Sequence, residues 1–248
     1  MKENICRIKD FVIDFSERES IVSKIESFLN STTKTSQIIT LNPLIYIQAK
    51  KDKDVYCAIK NAALVIPDAI GIVLIGGLLS FKFYKRFPGI ELIYELCKLS
   101  DKKKYRVYLL GGKKEVVEKT AKVLRYVYGV NIVGYHDGYF DSIKEGKIIE
   151  EINTKKIDIL FVALSTEKQE KWIYKNLNNI KSKIVIGVGG SFDVISGCVS
   201  RAPTLFRRLG LEWFFRLTQE PHRIVRILKL PLAMTIICID VIKDRLKL

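Results

Sequence analysis

Histidine is nearly absent from this chain: His136 and His222 are the only two in 248 residues. That leaves little material for histidine-based acid–base work or metal ligation. The five cysteines, Cys6, Cys57, Cys97, Cys198 and Cys238, are scattered, odd in number and never spaced as a CxxC pair. Such spacing argues against a disulfide framework or a zinc site and predicts a reduced, cytosolic chain whose thiols are small buried hydrophobes. No GxGxxG, Walker A, GxSxG or HExxH motif occurs, so dinucleotide fingerprints, P-loops, hydrolase elbows and zincin helices drop out. The opening MKENICRIKDFVIDF lacks an apolar stretch and a small-residue cleavage site, so no signal peptide is expected. The apolar runs 70–79 and 230–242 are too short to span a bilayer.

Positive charge, by contrast, is abundant. Lys and Arg outnumber Asp and Glu by 42 to 27, a formal net charge of +15. Residues 201–248 alone hold ten basic side chains against four acidic ones. The balance implies anionic partners: nucleic acid, phosphorylated substrates or an anionic membrane face. Hydrophobic content of 48% in 248 residues fits one large domain, or one domain with an appendage.

Along the chain, apolar runs alternate with helical patterns. Residues 5–15 suggest one or two short strands. Ser16-Glu17-Arg18-Glu19 reads as a capping box for a helix burying Ile21, Val22, Ile25, Phe28 and Leu29. Strands are expected at 37–41, 62–66, 106–110, 130–134, 157–164 and 183–188, with helices between them, Pro43 and Pro88-Gly89 opening two of these. Continuous rather than alternating apolar strands predict an α/β fold, a Rossmann-like, mostly parallel sheet with helices on both faces.

In open sheets of this kind, ligands bind beyond the carboxyl ends of the strands. Thr40, Asn42, Asp68, Gly111, Gly112, Gln169, Gly189 and Asp193 fall at such ends. Asp68 follows a buried strand and a proline that fixes its approach, and is the best-placed general base for an attacking hydroxyl. Beyond Gly189-Gly190 come Arg201, Arg216, Arg223 and Arg226. Arginines just past an apolar strand suit bidentate capture of phosphate oxygens and could stabilise a departing diphosphate. Asp52-Lys53-Asp54 has the form of a metal-holding Asp-x-Asp, but its place in the polar run KKDKD favours a solvated helix junction. The run 230–242, flanked by Lys229, Lys243, Arg245 and Lys247, suits a segment lying in the headgroup region of an anionic membrane; the other reading is a helix packed back on the domain.

These motifs, in order, resemble the WecG/TagA/CpsF group of bacterial glycosyltransferases. The resemblance runs through Thr40-Leu41-Asn42, Pro67-Asp68, Arg86-Phe87-Pro88-Gly89, Leu110-Gly111-Gly112, Gly138-Tyr139-Phe140 and Lys168-Gln169-Glu170. It is densest in GVGGSFDVISG, Arg201-Ala202-Pro203, Gly210-Leu211-Glu212-Trp213 and Glu220-Pro221-His222-Arg223. It implies a membrane-associated, inverting enzyme that moves N-acetylmannosamine from a UDP donor to the 4-hydroxyl of a polyprenyl-diphosphate-linked N-acetylglucosamine, without a metal or other cofactor. Carried over by motif, Asp68 is the base, and Thr40, Asn42, Arg86 and Gln169 line its pocket. Asp193 is a nucleotide contact, and Arg216, Arg223 and Arg226 belong to a C-terminal appendage that closes over the diphosphate. The chain departs from the family pattern at Ala69 and at Ser165-Thr166-Glu167, which leaves other UDP-sugars, such as UDP-glucose or UDP-N-acetylmannosaminuronate, open as donors.

The expectation is therefore a catalytic domain over residues 1–200 and a basic appendage over 201–248, held peripherally at the inner face of the plasma membrane. The resemblance is also compatible with a homo-oligomer in solution. A nucleic-acid-binding protein is the rival from net charge and the basic aromatic loop FKFYKRF (81–87), but no recognised nucleic-acid motif supports it; a second is a noncatalytic membrane-binding protein that uses only the tail.

Overall fold

The computed structural model describes residues 4–31 and 34–246. Lys247, the last of the predicted basic flank, lies outside them. A hairpin of β1 (Ile5–Ile8) and β2 (Phe11–Asp14) precedes α1 (Arg18–Asn30). Then follow β3 (Ser36–Leu41), α2 (Pro43–Ala49), α3 (Lys53–Asn61), β4 (Leu64–Pro67), α4 (Ile70–Ser80) and α5 (Gly89–Lys103). The second half runs β5 (Arg106–Gly111), α6 (Lys114–Tyr126), β6 (Asn131–His136), α7 (Ser142–Thr154), β7 (Ile159–Ala163), α8 (Thr166–Asn176) and β8 (Ile184–Gly187). Beyond it lie α9 (Ser191–Ile195), α10 (Thr204–Arg208), α11 (Glu212–Gln219), a 3₁₀ turn (Pro221–Arg223), α12 (Ile224–Ile227) and α13 (Lys229–Leu246).

Strands β3 to β8 form one parallel sheet in the order β4-β3-β8-β7-β5-β6. Side chains alternate across a strand with period two, and here both sets are buried. Ile38, Val107, Leu109, Ile159, Phe161, Ile184 and Ile186 pack against α1, α5 and α6. On the other face Ile39, Leu41 and Val65 meet the hairpin, α2 and α3, while Tyr108, Leu110, Leu160 and Val185 meet α7 and α8. Helices on both faces explain the unbroken apolar runs, and the fold is the Rossmann-like one expected.

Some details differ from the sequence reading. The capping box does not form: α1 starts at Arg18 with no side-chain cap. Ser16 is drawn instead into closing the hairpin, its N–H donating to Asp14 Oδ1 at 2.8 Å and its hydroxyl accepting from the Asn4 N–H at 3.4 Å. Of the cysteines only Cys97 is buried; Cys6 and Cys57 are half-buried, and Cys198 and Cys238 are exposed. Both exposed thiols sit in the C-terminal part of the chain, where little surface is covered.

The 230–242 run is part of α13, which packs back on the domain along one face. Ala233 and Ile237 are buried, Ile237 within the cluster of Ile39, Tyr46 and Ile72. The Tyr46 hydroxyl donates to Asp240 at 2.9 Å and Lys50 reaches the same carboxylate at 2.7 Å. Leu232, Ile239, Ile242 and Leu246 remain exposed on the other side. Among the described residues no helix is long and apolar enough to cross a membrane.

Candidate active site

A cavity of about 690 Å³ opens beyond the carboxyl ends of β4, β3 and β8, roofed by the segment after residue 200. Thr40, Asn42, Asp68, Arg86, Gln169, Arg201, Arg216, Arg223 and Arg226 all line it. Asp193 stands one residue back: Val194 lines the wall, and Asp193 sits half-buried in the first turn of α9 beside Gly190. Burial raises the Asp193 carboxyl, and Arg216 pulls it back down.

Each polar group on the strand side is placed by its own backbone surroundings. Asn42 caps α2, its Oδ1 accepting from the N–H of Leu44 at 3.0 Å and of Ile45 at 3.1 Å, with Pro43 at the first helical position where no N–H is needed. Asn42 thereby turns its amide nitrogen free of the cap. The Thr40 hydroxyl reaches the Gly187 carbonyl at 3.4 Å. Asp68 follows β4, and its Oδ1 accepts from the Gly89 N–H at 2.8 Å. Desolvation pushes the Asp68 carboxyl up to about 6. The Gly89 hydrogen bond and Arg86 oppose that rise, and Glu212 adds to it. An aspartate held near neutrality, with one oxygen fixed and the other open to a cavity, has the properties of a general base.

The turn after β8 is built for close approach. Gly189 has φ +49° and open space where a side chain would stand, a conformation that favours glycine. Its N–H donates to Gln169 Oε1 at 2.8 Å. Arg216 Nη2 donates to the Gly190 carbonyl at 2.7 Å.

Above this floor the arginines are held by carboxylates. Arg86 pairs with Glu212 at 2.7 Å and donates to the Arg207 carbonyl. Arg201 pairs with Glu91 at 3.0 Å and lies over the Tyr94 ring. Arg223 pairs with Glu220 at 2.7 Å. Burial, with Arg223 nearby, lowers the Arg216 pKa; its buried Nε makes no hydrogen bond and stands 4.0 Å from a Glu220 carboxylate oxygen. Such concentrated cationic charge suits a diphosphate.

The geometry and the sequence relationships agree. The profile described as the glycosyl transferase WecG/TagA/CpsF family matches residues 6–247. The chain belongs to this family. Among relatives of this glycosyl transferase is a Bacillus spizizenii protein named N-acetylglucosaminyldiphosphoundecaprenol N-acetyl-beta-D-mannosaminyltransferase, 36% identical over 226 residues, covering 90% of this chain and 87% of its own length. Proteins of the same name in Bacillus subtilis (35% over 227 residues, 91% and 84%) and Staphylococcus aureus (32% over 236 residues, 94% and 92%) are also similar.

Sequence reasoning missed three contributions to this WecG/TagA/CpsF site. Glu212 sits in the wall as the partner of Arg86. Leu230, Pro231 and Met234 bring α13 into the wall. Glu170, directly behind Gln169, is fully buried. Glu212 and Glu170 both stood in stretches that carry the family resemblance, Gly210-Leu211-Glu212-Trp213 and Lys168-Gln169-Glu170, and Glu170 also lies on the buried side of α8 with Gln169 and Ile173; the α13 residues left no such signal. The Asp-x-Asp is a helix junction, as expected: Asp52 caps α3 through the Asp54 N–H and pairs with Lys171 at 2.7 Å.

Proposed function

We propose that the protein transfers N-acetylmannosamine from a UDP donor to the 4-hydroxyl of a polyprenyl-diphosphate-linked N-acetylglucosamine, with inversion and with arginines rather than a metal handling the diphosphate. The observation that carries this reading is Asp68, raised to about 6 and facing a cavity roofed by arginines. Asp68 takes the proton of the acceptor hydroxyl as its oxygen bonds the anomeric carbon; the bond to the donor phosphate breaks and its electron pair leaves with UDP. Attack from the face opposite the leaving group inverts the configuration. Arg216, Arg223 and Arg226 meet the departing charge, with Arg86 and Arg201 beside them, while Thr40 and Asn42 orient the sugars and Gln169 lines the same pocket at the turn after β8. The names of the relatives favour N-acetylmannosamine over other donor sugars and an undecaprenyl diphosphate acceptor, in keeping with cell-surface polysaccharide synthesis.

Residues 1–200 then act as the catalytic domain and 201–248 as its closing appendage. The exposed side of α13 (Leu232, Ile239, Ile242 and Leu246, with Lys243 alongside) suits peripheral contact with an anionic membrane, where the lipid-linked acceptor resides; Arg245 turns back to the Leu79 carbonyl. The deciding experiment is UDP release from UDP-N-acetylmannosamine, with and without a lipid-diphosphate N-acetylglucosamine acceptor and with and without EDTA. Acceptor-dependent release that survives EDTA is expected; release abolished by EDTA would refute the metal-free reading, and no release with any acceptor would refute the donor assignment.

A further inference from the structure

Behind the cavity floor lies a buried carboxylate that the reaction above does not use. Glu170 on α8 is 1% exposed and makes no ion pair among the described residues. Its two oxygens are taken by two side-chain amides: Gln37 Nε2 donates to Oε2 at 3.0 Å and Gln169 Nε2 to Oε1 at 2.9 Å. Gly187 packs so tightly here that a Cβ would collide with both the Gln169 amide and the Glu170 carboxyl.

An ionised carboxylate only accepts hydrogen bonds, whereas a glutamine amide has a donating end and an accepting end. With Glu170 on one side, Gln169 must turn its NH₂ group inward. Its oxygen then faces the other way, towards the Gly189 N–H. We propose that Glu170 is a positioning residue for the donor side of the site: it fixes the orientation of the Gln169 amide, which in turn holds the Gly189–Gly190 turn that receives the donor's phosphates. This inference rests on the proposed reading that a UDP donor occupies the cavity.

The arrangement is costly, which argues that it is not incidental. Burial pushes the Glu170 carboxyl up to about 7, and the two amide donors oppose the rise. No other charged group offsets it. Strands β3, β7 and β8 carry no charged side chain, and neither does α2, whose Tyr46 bonds Asp240. On α8 itself Glu167 and Lys168 are exposed, while Lys171 and Lys175 face Asp52 and Asp54 at the α3 side. Protonating Glu170 would place an O–H against an amide NH₂ and favour rotation of that amide. For Gln169, rotation sets its NH₂ against the Gly189 N–H, donor facing donor.

UDP binding measured by titration calorimetry tests this, in an Asp68→Asn background that removes the raised carboxyl of the cavity floor, the raised Asp193 carboxyl being common to parent and variants. Glu170→Gln keeps the shape but offers one acceptor and one donor where two acceptors stood. It is expected to weaken UDP binding about tenfold, and in the otherwise native enzyme to raise the donor KM by a similar factor with kcat within about threefold. A purely structural role would lower Tm and leave the KM-to-kcat split unchanged. Gln37→Leu serves as the second variant. Removing one donor raises the Glu170 pKa further, so the pH below which UDP affinity declines is expected to move upward relative to the parent, UDP's own titration being common to both. Unchanged UDP affinity in Glu170→Gln together with an unmoved pH profile in Gln37→Leu would overturn the role of Glu170. Absence of UDP binding in the Asp68→Asn parent and in native protein alike would instead overturn the donor reading beneath it.

Discussion

The floor and the roof of the cavity are held by different forces. On the floor, Asn42, Asp68 and Gln169 are each fixed by backbone N–H groups, those of Leu44 and Ile45 opening α2, of Gly89 opening α5 and of Gly189 just after β8. In the roof, Arg201 and Arg223 are held by carboxylates through long side chains, Glu212 is tied across the cavity to Arg86 of the α4–α5 loop, and α10, α11 and α12 contain no buried residue. Of α13 only Ala233 and Ile237 are buried. Short hydrogen bonds to rigid elements fix geometry, while part-exposed ion pairs contribute roughly 0–1 kcal/mol each and rearrange readily. The floor is therefore suited to aligning the reacting atoms, and the roof to opening and closing over them.

Breaking the floor should have the largest effect. Asp68→Asn is expected to reduce turnover by about 10²–10⁴-fold while UDP still binds. The same substitution should raise stability at neutral pH. The folded pKa of Asp68, about 6, lies above its ordinary value, so its protonation favours the fold at low pH and that contribution is lost as pH rises through about 6. A higher Tm for Asp68→Asn at pH 7 than for the parent, converging as pH falls towards 4, is the expected signature. In the native enzyme, turnover should fall about tenfold for each pH unit below 6, because the base is then protonated; a flat profile down to pH 5 would remove Asp68 from that role.

Breaking the roof should cost less and act differently. Arg216→Ala is expected to lower kcat by about 10²-fold through lost stabilisation of the leaving diphosphate, and raised salt should weaken UDP binding in the parent more than in this variant. A loss confined to Tm would show Arg216 to be only a clamp on Gly190. The smallest effect is expected away from both layers: Asp52→Ala should lower stability by about 1 kcal/mol through the lost α3 cap, with turnover and EDTA tolerance unchanged.

The floor was far more legible in the sequence than the roof, for the same physical reason. Apolar strands such as Ile184–Gly187 end abruptly at polar or glycine residues, so Asp68, Asn42, Gln169 and Gly189 could be placed from local pattern alone. The roof has no such periodicity. In α13 the exposed Leu232, Ile239 and Ile242 are as apolar as the buried Ile237, so composition could not tell which side faces the domain. Glu212 gives no local sign that it meets Arg86, a contact spanning more than a hundred residues. The Ser16 capping signal failed because a competing acceptor, Asp14, stood two residues upstream.

The two exposed cysteines bear on how the roof can be watched. Cys198 lies just before Arg201 where the chain leaves the sheet, and Cys238 lies on α13 among its exposed apolar residues. Cys97 is buried with its thiol pushed up to about 12, so it competes poorly for thiol-directed reagents. With the half-buried Cys6 and Cys57 replaced, the chain carries its own attachment points for a spectroscopic label pair, one where the roof begins and one on its outer helix, and the proposed opening would show as a change in their separation.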